Sequence, residues 1–246
     1  MKKIYWFAIL LFAVSCDKDP LVALQNETDL IPKSGGEIVM HTYFTLSYSE
    51  QNEQAEWVFF KLTPDLVNGS QLRTDDYRED SSVSTGSASL VDYKYSGYDR
   101  GHLCPAGSMT INKIAMSETF YLSNMSPQTA GFNRGVWSRF EAQVREWVNT
   151  YGDVWEVTGP VFKNNLDTIG ANLVIVPGSY YKIIFRDNDK MIGFLLKHES
   201  SSKKLSAFAV KVDSIEALTG IDFFPGLENE LENRLESKVD TEGWDF

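Results

Sequence analysis

Apolar positions recur along this chain at two spacings, and the two sort into strands and helices. From Glu37 to Tyr48 and from Ala55 to Leu62 the sequence is rich in β-branched and aromatic residues, with a polar turn between, which predicts a hairpin. A second run of strands is predicted at Leu173 to Val176, Tyr180 to Phe185, Met191 to Leu196 and Ala207 to Val210, two of them joined by the turn-forming Asp187-Asn188-Asp189. Between these groups the period lengthens. Val136, Trp137, Phe140, Val144, Trp147 and Val148 recur every three or four residues, so Val136 to Thr150 reads as a helix with one buried side. Ser138, Glu141 and Arg145 form a polar stripe on it. Shorter helices are expected at Asn112 to Ser117 and at Val212 to Leu218, the second just before Gly220. Hairpin-ordered strands with segregated helices define an α+β fold, a mainly antiparallel β-sheet flanked by helices.

The amino terminus has a different pattern. Met1-Lys2-Lys3 is basic, Ile4 to Val14 is unbrokenly apolar, and Ala13-Val14-Ser15-Cys16 ends the run with small residues, so residues 1–15 read as an export signal. An apolar run of that length is too short to span a bilayer, which takes roughly 20 helical residues. Ala-Val-Ser-Cys resembles a lipobox, with Ala13 where leucine is commonest, which makes Cys16 the expected lipidation site and the chain an envelope lipoprotein, periplasmic or surface-facing, or otherwise secreted. Acylation there would anchor it to a membrane. Residues 16–37 then read as a tether, 38–228 as one domain and 229–246 as an acidic C-terminal tail. Cys104 is the only other cysteine in 246 residues, so no disulfide within the chain is expected.

Charge modifies the picture locally. The formal net charge of −11 argues against a nucleic-acid partner if taken alone, because such binding needs Lys and Arg to neutralise phosphates. From Asp92 to Arg145, however, six basic residues face four acidic ones, and the acid concentrates in Phe223 to Phe246. A local anion-binding face fits that distribution.

The candidate chemistry begins with three histidines. His198 lies in a polar turn and is expected to be exposed; His41 begins a strand and is expected to be structural. His102, between Gly101 and Pro105 with Arg100 two residues away, is the best general base, since imidazole is neutral and able to take a proton near pH 7. No His-Glu-x-x-His, paired Cys-x-x-Cys or EF-hand spacing occurs, so a dehydrated zinc or calcium centre is not expected from motifs. Magnesium needs only one or two protein oxygens. Asn133 and Glu141 would lie about 12 Å apart along a continuous helix, so only one of them could touch an ion directly.

These residues carry a resemblance. Gly97-Tyr98-Asp99-Arg100-Gly101-His102-Leu103, Glu118-Thr119-Phe120-Tyr121-Leu122-Ser123-Asn124-Met125-Ser126-Pro127-Gln128, and Asn133 with Trp137, Glu141 and Arg145 resemble, in this order, the DNA/RNA non-specific endonucleases of the ββα-metal or His-Me finger superfamily. Arg73-x-x-x-Tyr77-x-x-Asp80, Val176-Pro177, Tyr181-Lys182 and Leu218 to Pro225 extend the likeness over roughly residues 40–228. The resemblance implies an embedded ββα-metal finger and an endonuclease that hydrolyses DNA and RNA to 5′-phosphorylated products. It makes His102 the general base and Asn133 the direct ligand of Mg²⁺, or of Mn²⁺ or another divalent ion, with Glu141 acting through water. Arg100, Arg145 and Arg73 would contact phosphate, Asn124 would join the catalytic group by fixing the site, and Asp99 would brace the finger. Cys104 stands where some relatives have alanine, and Phe120 where some have asparagine, so an auxiliary role there is lost. A polyanion-binding lipoprotein and a phosphodiesterase for small nucleotides are the other two readings, and the oligomeric state is left open.

Overall fold

The structure, a computed structural model, describes residues 27–163, 167–187 and 189–246. The expected export signal, Cys16 and the first part of the tether lie outside the described residues. Among the described residues eleven strands occur in chain order: β1 Glu37–Met40, β2 Thr45–Ser49, β3 Gln54–Leu62, β4 Asp99–His102, β5 Met125–Gln128, β6 Val154–Val161, β7 Thr168–Ile169, β8 Val174–Ile175, β9 Ser179–Arg186, β10 Lys190–Lys197 and β11 Ala209–Val210. The α-helices are α1 Pro64–Val67, α2 Leu90–Tyr93, α3 Lys113–Glu118, α4 Ser138–Tyr151, α5 Val212–Thr219 and α6 Asn229–Glu236. A seven-stranded antiparallel sheet in the order β1-β2-β3-β6-β9-β10-β11 forms the frame, so the α+β expectation holds.

Both faces of that sheet are covered, and alternation along each strand assigns the residues to them. On β3, Val58, Phe60 and Leu62 join one core, while Trp57 and Phe59 join the other. On β9, Tyr180 and Ile184 face the first, and Tyr181, Ile183 and Phe185 the second. The first core is closed by α4 through Phe140, Val144, Trp147 and Val148. The second is closed by α5 and α6 through Val212, Ile215 and Leu235. β4, β5 and α4 lie on the first side, and this arrangement places the candidate site there.

Several expectations change in detail. The segment Glu37 to Tyr48 is two strands rather than one, because the backbone N–H of His41 bonds to the carbonyl of Phe44 at 2.9 Å and turns the chain. Leu173 to Val176 contributes only β8, paired with β7 in a separate two-stranded sheet. The tail at 229–246 is not a solvated appendage: Leu235 and Trp244 are buried, and the Trp147 indole donates to the carbonyl of Asp245 at 2.7 Å. Composition hid this, since the acidic residues of α6 outnumber the apolar ones that pack. Part of the tether also packs, with Leu30 buried and Lys33 bridged to Asp222. Cys104 is buried in the first core, as expected of a small hydrophobe. Among the described residues no helix is long and apolar enough to cross a membrane.

Candidate active site

β4 and β5 form a two-stranded antiparallel ribbon in which His102 faces Met125 and Gly101 faces Ser126. Gly101 is required by packing: a Cβ there would lie 2.2 Å from Cδ of Gln128. The chain then enters a π-helical turn, Phe132–Trp137, before α4. This is the β-β-helix unit the Asp-Arg-Gly-His segment implied. Two bonds lock it. The Trp137 indole donates to the carbonyl of His102 at 3.1 Å, and Asn133 Nδ2 donates to Asp99 Oδ2 at 3.0 Å.

The segment after His102 is fastened by Asn124. Its Oδ1 accepts from the Cys104 N–H at 2.8 Å, and its Nδ2 donates to the carbonyls of Cys104 and Thr119. Asn124 is fully buried and does not line the cleft, so its place is that of a positioning residue rather than one that meets substrate.

A cleft of about 630 Å³ opens above the ribbon. His102, Arg100, Arg73, Asn133 and Glu141 all line it, so the strand, the turn and the helix deliver the sequence-derived residues to one place. Arg145 does not line it. It is half-buried, with its guanidinium beside Gly107, itself a lining residue, and its charge acts on Glu141. Arg134 lines the cleft instead, though its guanidinium is held in two hydrogen bonds to Asp99. Lys94, Tyr77, Tyr95 and Tyr98 complete a basic, aromatic rim; Tyr77 and Tyr98 stand in the quoted motifs without an assigned role, and Tyr95 in none.

His102 is buried at 8% exposure, and its Nε2 has no hydrogen-bond partner. The ring packs edge-on against Phe120, at 5.1 Å between centroids, and against Tyr77. Phe120 thus has a use: it floors the imidazole and supports Arg73, whose guanidinium lies 4.7 Å above its ring. Arg100 stacks on Tyr77 at 4.2 Å. Burial, with the charges of Arg73 and Arg100, pushes the imidazole down to about 3, so it is neutral at any ordinary pH.

Asn133 fits a hard cation. Because its Nδ2 is bonded to Asp99, its Oδ1 is left for a ligand, which is the atom such an ion takes. Asp99 is held below the usual carboxylate range: burial raises it, but the hydrogen bonds from Arg134 and Asn133 outweigh that. Glu141 is pushed up to about 7 by burial, against the pull of Lys182 and Arg145. The helical distance between Asn133 and Glu141 does not apply as expected, because Gly135 at φ −102° and ψ −107° breaks the helix between them.

The other histidines serve the frame. His41 Nε2 bonds to Asp80 at 3.0 Å, as a structural role requires. His198 is not a free surface residue: Nε2 accepts from the Thr129 N–H and Nδ1 donates to the Pro177 carbonyl, both at 2.8 Å. It ties β5 to the main sheet.

A two-stranded ribbon closed by a helix, with a neutral imidazole facing a basic cleft, defines the ββα-metal class of nuclease fold. The chain belongs to the DNA/RNA non-specific endonuclease family, whose description matches residues 25–230. It is 35% identical over 217 residues to nuclease C1 of Cunninghamella echinulata var. echinulata, covering 80% of this chain and 86% of that protein. It is 33% identical over 220 residues to the mitochondrial nuclease EXOG of Danio rerio, covering 81% of this chain and 64% of the relative. The chain therefore spans less than two thirds of that animal protein's length. A crystal structure of an EndoG/EndoGI complex superimposes with a TM-score of 0.73 at 33% identity, over 80% of this chain and 89% of that one.

Proposed function

We propose that this protein is a divalent-cation-dependent, sugar-nonspecific endonuclease that hydrolyses phosphodiester bonds of DNA and RNA to 5′-phosphorylated products. The observation that carries this reading is the meeting of a neutral His102 ring with Asn133, Glu141, Arg73 and Arg100 in one cleft. A general base must be unprotonated and free of competing partners, and the ring here is held neutral with no hydrogen bond at Nε2. An anionic phosphate between Arg73 and Arg100 would cancel part of the charge that depresses the imidazole, making it a better proton acceptor once substrate is bound.

The arginines supply fixed positive charge where negative charge grows on the phosphoryl oxygens. Asn133 Oδ1 would hold Mg²⁺, or Mn²⁺, and Glu141 would take its water shell. Such an ion, when bound, would supply Lewis-acid charge to the phosphoryl group. His102 takes the proton of the attacking water, and Trp137 and Asn124 keep the ring in line. Because the nucleophile is water, no 2′-hydroxyl is required, and the reading covers both sugars. The names of the relatives, nucleases and endonucleases, support the same class.

The basic start, the apolar run to Val14 and Cys16 support an exported, lipid-anchored protein, a reading that rests on residues 1–16 alone. The purified full chain should nick supercoiled plasmid and degrade RNA with MgCl₂ and stop on addition of EDTA. Cleavage of mononucleotide diesters but not of either polymer would replace this reading with a small-substrate phosphodiesterase.

A further inference from the structure

On the face of the sheet opposite the cleft, three carboxylates converge. We propose that Asp213, Glu216 and Glu236 form a calcium-class divalent cation site that fastens α6 to α5. Asp213 and Glu216 stand three residues apart on α5 and so share one side of the helix. Glu236, at the end of α6, meets them. One carboxylate oxygen from each lies within 4.8 Å of the other two. Oxygens on one Ca²⁺ sit at about 2.3–2.6 Å from it, hence up to about 5 Å from each other, and the three fit around a single ion.

A second observation sets this apart from an ordinary acidic patch. Glu236 is only 6% exposed, and its Oε1 has no hydrogen-bond partner. A buried carboxylate oxygen with neither donor nor cation costs the full desolvation of that group. Neighbours make this worse, since Glu216, Glu232, Asp213 and Asp222 place like charge around the same carboxylate. Lys33 bears on the neighbouring Glu232. Glu216 spends Oε1 on the Phe223 N–H at 2.9 Å and keeps its other oxygen. A proton on Glu236 would satisfy one oxygen and leave Asp213 and Glu216 repelling each other; a divalent ion relieves all three.

The donor set points to the ion's class. All three ligands are hard carboxylate oxygens without nitrogen or sulfur, which disfavours zinc and copper. Asp213 is exposed and Glu216 half-buried, so water can fill the remaining positions, an arrangement Ca²⁺ tolerates with its flexible shell of 6–8 oxygens. Three carboxylates with an open side belong to the weak end of calcium affinities, with Kd about 10⁻⁴–10⁻³ M. Such an ion would hold the last helix, and with it the segment carrying Trp244, against the domain.

The test is calcium titration by calorimetry, with thermal melting, on the full chain carrying Asn133→Ala, which removes the cleft's amide ligand and isolates this site. One Ca²⁺ should bind per chain, and 10 mM CaCl₂ should raise Tm by about 5 °C over EDTA. Glu236→Gln should abolish both the heat and the shift, while melting in EDTA no lower than its parent, since the amide removes a like charge. Asp213→Asn, at an exposed position, should weaken binding about tenfold. No calcium-dependent shift in the parent, or an equal shift in both variants, would overturn the proposal.

Discussion

The indole Nε1 of Trp137 donates to the backbone carbonyl of His102 over 3.1 Å, so the residue that leads into α4 also fixes the strand end carrying the imidazole. Both residues are buried. Trp137→Phe keeps most of the ring packing and deletes the donor. It should cost about 1–2 kcal/mol of stability. Plasmid-nicking rates should fall about tenfold, because the ring loses its fixed position. Matched thermal melts and initial rates check this.

Beneath Trp137 lies a buried ion pair, Lys182 on β9 with Glu156 on β6, both fully enclosed. The Lys182 ammonium also sits 4.3 Å from the Trp137 ring. Lys182→Met should destabilise by about 3–5 kcal/mol, because it strands the Glu156 carboxylate, which burial already pushes upward. The double variant Lys182→Met, Glu156→Met should recover most of that loss. Urea midpoints for the single and double variants are the measurement.

Asp80 is buried and accepts from Ser123 Oγ, from the Ser82 N–H and from His41. Burial alone would raise its carboxyl, yet these bonds hold it below the usual range. A depressed carboxyl stabilises the fold above its unfolded pKa of about 4 and loses that contribution as pH falls through the folded value. Stability should therefore drop below about pH 4. Asp80→Asn should remove about 2–3 kcal/mol at neutral pH and flatten that acid limb, read as Tm against pH.

Much of this was legible in the sequence, for identifiable reasons. Asp99, Arg100, Gly101 and His102 are adjacent, so one four-residue strand carries them, and Asn133 and Glu141 follow in the π-helical turn and in α4. The sheet order was approachable through hairpin neighbours such as β9 and β10. Depth was not. Arg145 shares a polar stripe with Glu141, but spacing says nothing of how far each side chain reaches, and only Glu141 meets the cleft. Lys182 lies within an apolar strand and gave no sign of its partner 26 residues earlier. His198 looked solvated because its two partners, Thr129 and Pro177, come from distant segments. The folded end of the chain was obscured by acidic residues surrounding Leu231, Leu235 and Trp244.

The central claim is that the unpartnered imidazole of His102 takes the proton from the attacking water, and His102→Ala measures it most directly. The variant should melt within a few degrees of the parent and lose about 10²–10⁴-fold in plasmid cleavage rate at saturating MgCl₂. A folded variant that cleaves within about threefold of the parent's rate would contradict the account, since general-base removal cannot be so slight.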